Sequence, residues 1–163
     1  MKKMILMLMT FTLVIAGCGS KKVETVNVPV SELMDGVVKQ AEFNSQQFIS
    51  ENIKENTEIA ENLNIDPASI EEGQYFKAMI SVRADEIIIL KAADESKVEE
   101  LKSALEKEVS NQEQIWSTYL PDQYEKVQNH IIKQQGNYLI LIIADEPEKL
   151  EQTFVSMLTP ESK

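Results

Sequence analysis

Tyr138-Leu139-Ile140-Leu141-Ile142-Ile143-Ala144 is apolar at every position, and Ile87-Ile88-Ile89-Leu90, just after Glu86, is a shorter run of the same kind. Successive residues of a strand point to opposite faces, so a strand packed on one side alternates apolar and polar side chains. Short unalternated runs bounded by turn residues fit strands covered on both faces. Each run follows a turn, Arg83-Ala84-Asp85 or Gln135-Gly136-Asn137. Upstream of the first turn, Phe76, Ala78, Ile80 and Val82 alternate with Tyr75, Lys77, Met79 and Ser81, which predicts a strand with one face buried. Upstream of the second, His130 to Gln134 predicts a partner strand. Two hairpins result, with Ile89 and Ile142 expected in the core.

Both hairpins are followed by similar sequence. Ala93-Asp94-Glu95 leads into a helix with Val98 and Leu105, and 51 residues later Ala144-Asp145-Glu146 leads into one with Leu150 and Met157, running from Pro147 to Leu158. Asp94 and Asp145 are expected as helix caps, with Ser96 and Glu99 as a capping box. The first of these helices carries Val98, Leu101, Leu105, Val109, Gln112, Trp116 and Tyr119 on one stripe. It breaks at Leu120-Pro121, where Pro121 starts a shorter helix through Tyr124 and Val127. The reading is an α+β fold: one antiparallel sheet from two ββα pseudo-repeats, covered by helices, with an N-terminal helical segment as the second cover.

That segment begins with Val30, Leu33, Met34, Val37, Val38 and Ala41 on one helical face, Ser31 being the expected N-cap. Residues 42–56 place Phe43, Phe48, Ile49 and Ile53 among Asn, Gln, Ser and Glu, a pattern open to a helical extension or a loop. A short helix with Ile59, Ala60 and Leu63 runs into Ile65-Asp66-Pro67, where Asp66 caps and Pro67 opens another turn.

The N-terminus reads as an export signal. Met1-Lys2-Lys3 is basic, Met4 to Ile15 is almost wholly apolar, and Ile15-Ala16-Gly17-Cys18 follows. Twelve helical residues span about 18 Å against a hydrocarbon core of about 30 Å, too short for a transmembrane helix. The stretch resembles the lipobox of bacterial lipoproteins. That resemblance implies cleavage between Gly17 and Cys18, a diacylglycerol thioether on Cys18, and anchoring on the outer face of the cytoplasmic membrane. Each buried CH₂ contributes about 0.8 kcal/mol, so two or three acyl chains hold the protein permanently where one would bind marginally. The expected organisation is a signal peptide over 1–17, an anchored tether over 18–28 and a single α+β domain over 29–163.

Removing residues 1–17 leaves 14 basic against 27 acidic side chains, a net charge of −13. Arg83 is the only arginine. A chain this acidic, without a basic stripe, has no means of neutralising phosphates, which argues against nucleic-acid binding. Lys21 and Lys22, directly after the anchor, are either contacts with anionic lipid or solvated tether residues.

Catalytic chemistry finds few carriers. A nucleophilic triad or zinc site needs His or Cys, and the mature chain has only His130 and the acylated Cys18. HExxH, GxSxG, SxxK and glycine-rich phosphate loops are absent, as is a calcium loop, and no cofactor is implied. Neighbouring acids such as Glu71-Glu72 and Asp145-Glu146 are the candidates for paired-carboxylate hydrolysis, though solvated surface explains them as well. The most distinctive cluster is Trp116, Tyr119, Leu120, Pro121 and Tyr124 at the helix break, a recognition site or part of the core.

From Leu63-Asn64-Ile65-Asp66 onward the chain resembles small bacterial lipoproteins that share the domain of unknown function forty-three fifty-eight. The resemblance lies in Ala84-Asp85-Glu86-Ile87 before an apolar strand, the acidic helix start near Asp94, Tyr119-Leu120-Pro121-Asp122-Gln123, and Gly136-Asn137-Tyr138 opening a strand that ends in Ala144-Asp145-Glu146. It covers residues 60–155, leaving 42–56 outside its pattern. It implies secretion and lipid anchoring and supplies no catalytic residue. The expected function is a lipid-anchored, non-catalytic interaction or ligand-binding module with a protein or small-molecule partner. The alternative is a membrane-tethered hydrolase of wall or glycan material using paired carboxylates.

Overall fold

The computed structural model of the protein describes residues 25–43 and 45–160, so the expected signal peptide, the Gly17/Cys18 cleavage site and the lipidated Cys18 lie outside the described residues. The chain folds as α+β. Five strands, β1 (Phe48–Asn52), β2 (Ile70–Ala78), β3 (Glu86–Ala92), β4 (Ile131–Gln135) and β5 (Tyr138–Ile143), form one sheet in the order β1-β2-β3-β5-β4, antiparallel throughout. The five helices are α1 (Val30–Gln40), α2 (Thr57–Asn62), α3 (Val98–Trp116), α4 (Pro121–Gln128) and α5 (Pro147–Leu158).

The two unalternated runs occupy the centre. β3 and β5 pair with each other, Ile88 opposite Leu141 and Ile89 opposite Ile140, and every residue of both is buried. Their alternate side chains feed two cores. Ile88, Leu90, Leu139, Leu141 and Ile143 pack with Leu101, Leu105 and Val109 of α3 and Val127 of α4. Ile87, Ile89, Ile140 and Ile142 pack with Leu33, Met34 and Val37 of α1 and Leu150, Phe154 and Leu158 of α5. An antiparallel sheet usually leaves one face wet; here helices cover both, which is why β3 and β5 carry no alternation.

β2 pairs with β3 and β4 with β5, as the two expected hairpins require, but the helices that follow them do not repeat the arrangement expected of two ββα units. The rotation that carries β2-β3 onto β5's hairpin has its axis perpendicular to the sheet and keeps each helix on its own face. α3 and α5 nevertheless lie on opposite faces.

Several local expectations are corrected. The strand expected around residues 75–82 is Ile70–Ala78, and Ile80 and Val82, expected in the core, are 39% and 51% exposed. The chain leaves the sheet after Ala78, whose N–H donates to Asp85 O, and residues 79–85 form a loop. Residues 42–56 contain β1, paired along its length with β2. Ser31 does not cap α1; Pro29 holds that position and the Glu72 carboxylate accepts from Val30 N–H at 2.8 Å. Asp94 caps the 3₁₀ turn before α3 through Ser96 N–H, and α3 itself starts at Val98. Asp145 caps nothing: Glu146 is the N-cap of α5, with no side-chain hydrogen bond, and Asp145 pairs with Lys126 instead. No helix among the described residues is long and apolar enough to cross a membrane.

Candidate functional site

The sheet has two distinct ends. At one, where β3 finishes and β5 begins, the N-terminal segment enters: Lys91 Nζ donates to Asn27 Oδ1 at 2.8 Å, Val28 N–H donates to the Tyr138 hydroxyl at 3.1 Å, and Val26 N–H donates to Leu158 O at 3.0 Å. This is the end at which the expected tether would arrive, the tether end. At the other, β3 begins, the 79–85 loop turns, and α3 arrives. With 19 residues α3 is about 28 Å long, whereas β3 with seven residues is about 23 Å, so the helix reaches the far end of the sheet and carries the chain onward to Pro121. Gln123 of α4 then joins the loop, its Oε1 accepting from Ala84 N–H at 2.9 Å.

The expected recognition cluster lies at this far end and divides between core and surface. Trp116 is buried, its indole N–H donating to Gln112 Oε1 at 3.1 Å. Tyr119 is exposed, with its ring 5.7 Å from that of Trp116. Leu120 and Tyr124 are half-buried against the α3-side core, and Pro121 is exposed at the first turn of α4. The same end carries Met79, Ile80, Val82 and Ile115. Of the six exposed large apolar side chains among the described residues, only Val26 lies at the tether end. A pocket of about 140 Å³ opens beside the far end of the opposite face, bordered by Ala41, Phe43, Ala144 and Leu150.

Beneath these apolar groups lie buried charges. Asp85 is fully buried between Arg83 Nε at 2.8 Å and Lys126 Nζ at 3.1 Å, and Lys126 reaches on to Asp145 at 2.9 Å. Arg83 also caps an aromatic stack, its guanidinium 5.2 Å from the centre of Phe48, which lies face to face on Phe76 at 4.6 Å. These contacts hold the loop to both β1 and α4.

The next residue, Glu86, is different. It is fully buried on the α3-facing side of the sheet, and neither carboxylate oxygen has a hydrogen-bond donor in good geometry. Lys77 Nζ, 2.7 Å from Oε2, makes a charge contact and sits 4.0 Å from Glu108 Oε1 of α3. Burial pushes the Glu86 carboxyl up to about 7, opposed by Lys77 and reinforced by Glu108. Burial, with Glu86 and Glu108 nearby, likewise raises Tyr75 well above the tyrosine range. Glu108 accepts from Gln112 Nε2 at 2.6 Å, so a continuous polar chain runs from Glu86 through Lys77, Glu108 and Gln112 to Trp116.

Of the neighbouring acids picked out in the sequence, Glu71 and Glu72 both approach Lys91 Nζ, at 2.8 and 4.0 Å, and Glu72 also caps α1, while Asp145 pairs with Lys126. His130 is half-buried, its Nδ1 2.8 Å from Val127 O. Among the described residues no group of three or more His, Cys, Asp or Glu is arranged to hold a metal. The Glu86–Glu108 pair was missed in the sequence, although Glu108 falls on the stripe of Leu101, Leu105 and Gln112 and Glu86 shares the inward parity of Ile88 and Leu90.

The family described as Domain of unknown function (DUF4358) matches residues 44–144. The chain belongs to that family. The DUF4358 match begins just before β1 and ends just after β5, so it contains the whole sheet with α2, α3 and α4 and leaves out α1 and α5. It therefore takes in the 42–56 region almost whole, and with it the strand β1 that its polar composition concealed. No curated protein and no solved structure matches the chain.

Proposed function

We propose that the protein is a lipid-anchored, extracytoplasmic interaction module without catalytic activity, fixed to the membrane through Cys18 and presenting the far end of its sheet to a protein partner. The observation that supports this reading is the segregation of exposed apolar side chains: Met79, Ile80, Val82, Ile115 and Tyr119 gather at the end opposite the entry of the tether. Apolar groups concentrated on one part of a surface mark places where another molecule sits. On an anchored protein, the end away from the anchor is the one a neighbouring protein reaches.

A membrane-tethered hydrolase is the competing reading, and the Glu86–Glu108 pair with its raised carboxyl is the feature closest to it. Glu86 is sealed beneath α3, however, and a general acid must reach the substrate's leaving group. The test is a pull-down from detergent extracts with the full chain, comparing wild type, the double variant Val82→Ser/Ile115→Ser, and a tether-end control, Lys54→Ser, whose ammonium donates to the Ile70 and Glu71 carbonyls where β2 begins. A partner lost with the double variant and kept with the control supports the reading. Capture indifferent to the double variant overturns it, and turnover of a glycan panel abolished by Glu108→Gln would favour the hydrolase.

A further inference from the structure

Glu86 has no evident structural use. A fully buried carboxylate whose close partner is the partly exposed Lys77 ammonium at 2.7 Å, with no hydrogen bond in good geometry, adds less to a fold than an apolar side chain would. Glutamate at this position does place a titratable group beneath the helix that carries Trp116. Lys77 is 28% exposed at its side chain, so the cluster touches solvent at one corner while Glu86 does not. Two carboxyls and one ammonium share the site, an arrangement with one negative charge too many unless a proton is bound.

We infer that Lys77, Glu86 and Glu108 form a proton-operated latch that sets how tightly the C-terminal half of α3 is held on the sheet, and with it Trp116 and Tyr119. The groups facing Glu86 define its two states. From β2 come Lys77 and Tyr75, from β5 the apolar Ile143, and from α3 Glu108 with the neutral Gln112 behind it. From the loop and α4, Arg83, Asp85 and Lys126 are engaged with one another. With Glu86 protonated, the site is neutral overall, and its O–H is available to the Glu108 carboxylate, a hydrogen bond that two ionised carboxylates cannot make. When the proton leaves to solvent, Glu86 and Glu108 repel across the contact between β3 and α3, and the Glu108–Gln112–Trp116 chain transmits the strain to the helix end. The carboxyl's elevation to about 7 places the change near neutrality. The latch is closed on the acid side and loosened on the alkaline side.

The inference concerns the same end of the molecule as the proposed partner surface but requires no partner, so either can fail alone. Trp116 is the only tryptophan in the chain, and its fluorescence reports directly. In the full chain, purified in neutral detergent, the emission of Trp116 should shift to longer wavelength by several nanometres between pH 5 and 9, with one midpoint near 7. Glu86→Gln should remove the transition and hold emission at the acid-side wavelength. Glu108→Gln, which removes the repulsion, should move the midpoint to lower pH and keeps the test decisive if Glu86→Gln does not fold. His130→Asn, the control at the only histidine of the chain, should leave the transition in place. A flat wild-type profile, a transition retained in folded Glu86→Gln, a midpoint unmoved by Glu108→Gln, or one abolished by His130→Asn would each overturn the latch.

Discussion

Truncating Ile89 or Ile142 to alanine probes the architecture at its centre. Both are fully buried on the face covered by α1 and α5. Ile89 stands between Gln74 on β2 and Ile140 on β5, and Ile142 between Ile87 on β3 and Ile131 on β4. Each substitution deletes three carbons, about 2.4 kcal/mol at about 0.8 per buried methylene, and the cavity left in a layer clamped by two helices adds to that. The expected loss is about 2 to 5 kcal/mol for each, against a total of about 5 to 15 for a domain. The two positions are diagonal neighbours across the β3–β5 pairing, so the double variant should lose less than the sum because their cavities share walls. Urea unfolding of a chain begun after the tether, followed by circular dichroism and by Trp116 fluorescence, measures all three, with Asn137→Ala in the β4–β5 turn as reference. If both isoleucine variants were as mild as the turn variant, the two-hairpin sheet with its double helical cover would be refuted.

Arg83, although it lies in a turn, should not behave as a turn residue: Arg83→Ala removes a donor from buried Asp85 and is expected to cost about 1.5 to 3 kcal/mol. A double-mutant cycle with Asp85→Asn in urea melts checks the pairing, and additive losses would refute it. The raised Glu86 carboxyl gives a signed pH dependence. Between the ordinary carboxyl range near 4.5 and about 7 the folded state holds a proton that the unfolded state has released, so its stabilising contribution is full below 4.5 and is lost as pH rises through 7. At about 1.4 kcal/mol per pH unit this amounts to about 3 to 4 kcal/mol. It is read as the difference in urea stability between wild type and Glu86→Gln from pH 4.5 to 8.5, and parallel profiles would refute it. Asp94, Glu100 and Asp122, held low chiefly by hydrogen bonds, act in the opposite sense and only at more acid pH, so the windows do not overlap. Cys18→Ala should abolish lipid labelling and leave an uncleaved precursor; a processed 146-residue chain still partitioning into detergent would refute the anchor.

What the sequence discloses depends on how completely each element is buried. β3 and β5 are legible because burial on both faces removes every polar residue from Ile87–Leu90 and Tyr138–Ile143, and α3 because its stripe runs without a break from Val98 to Trp116. β1 is hidden because an edge strand buries little: of Phe48–Asn52 only Phe48 is fully inside. The first half of β2 is hidden by Glu71, Glu72 and Gly73. That glycine answers a spatial need, since a Cβ there would meet Ile53 Cβ at 3.2 Å and Leu90 Cδ2 at 3.3 Å. Ile80 and Val82 misled the reading because they continue the alternation of β2 beyond its last pairing, and apolar residues that continue a strand pattern look like core until the turn is seen. The Glu86–Glu108 pair depends on the placement of α3 over β3, a contact between residues 22 apart in the chain that no local pattern encodes.

α1 and α5, the first and last helices, pack against each other across one face of the sheet, and the entering backbone is tied to Leu158 at the end of α5. For a chain synthesised N-terminus first, closing this face waits on α5, one of the last elements to be made. Until α5 emerges, Ile140, Ile142 and Ile89 have only half their cover, and a strand face of that composition is prone to adhere to other chains. Under the proposed anchoring at Cys18, the chain would spend that interval confined beside the membrane, where similar unfinished chains would be most concentrated. Proteolytic trimming of the C-terminus would recreate the same state in the mature protein, uncovering one sheet face and freeing the tether from its clasp in a single cut.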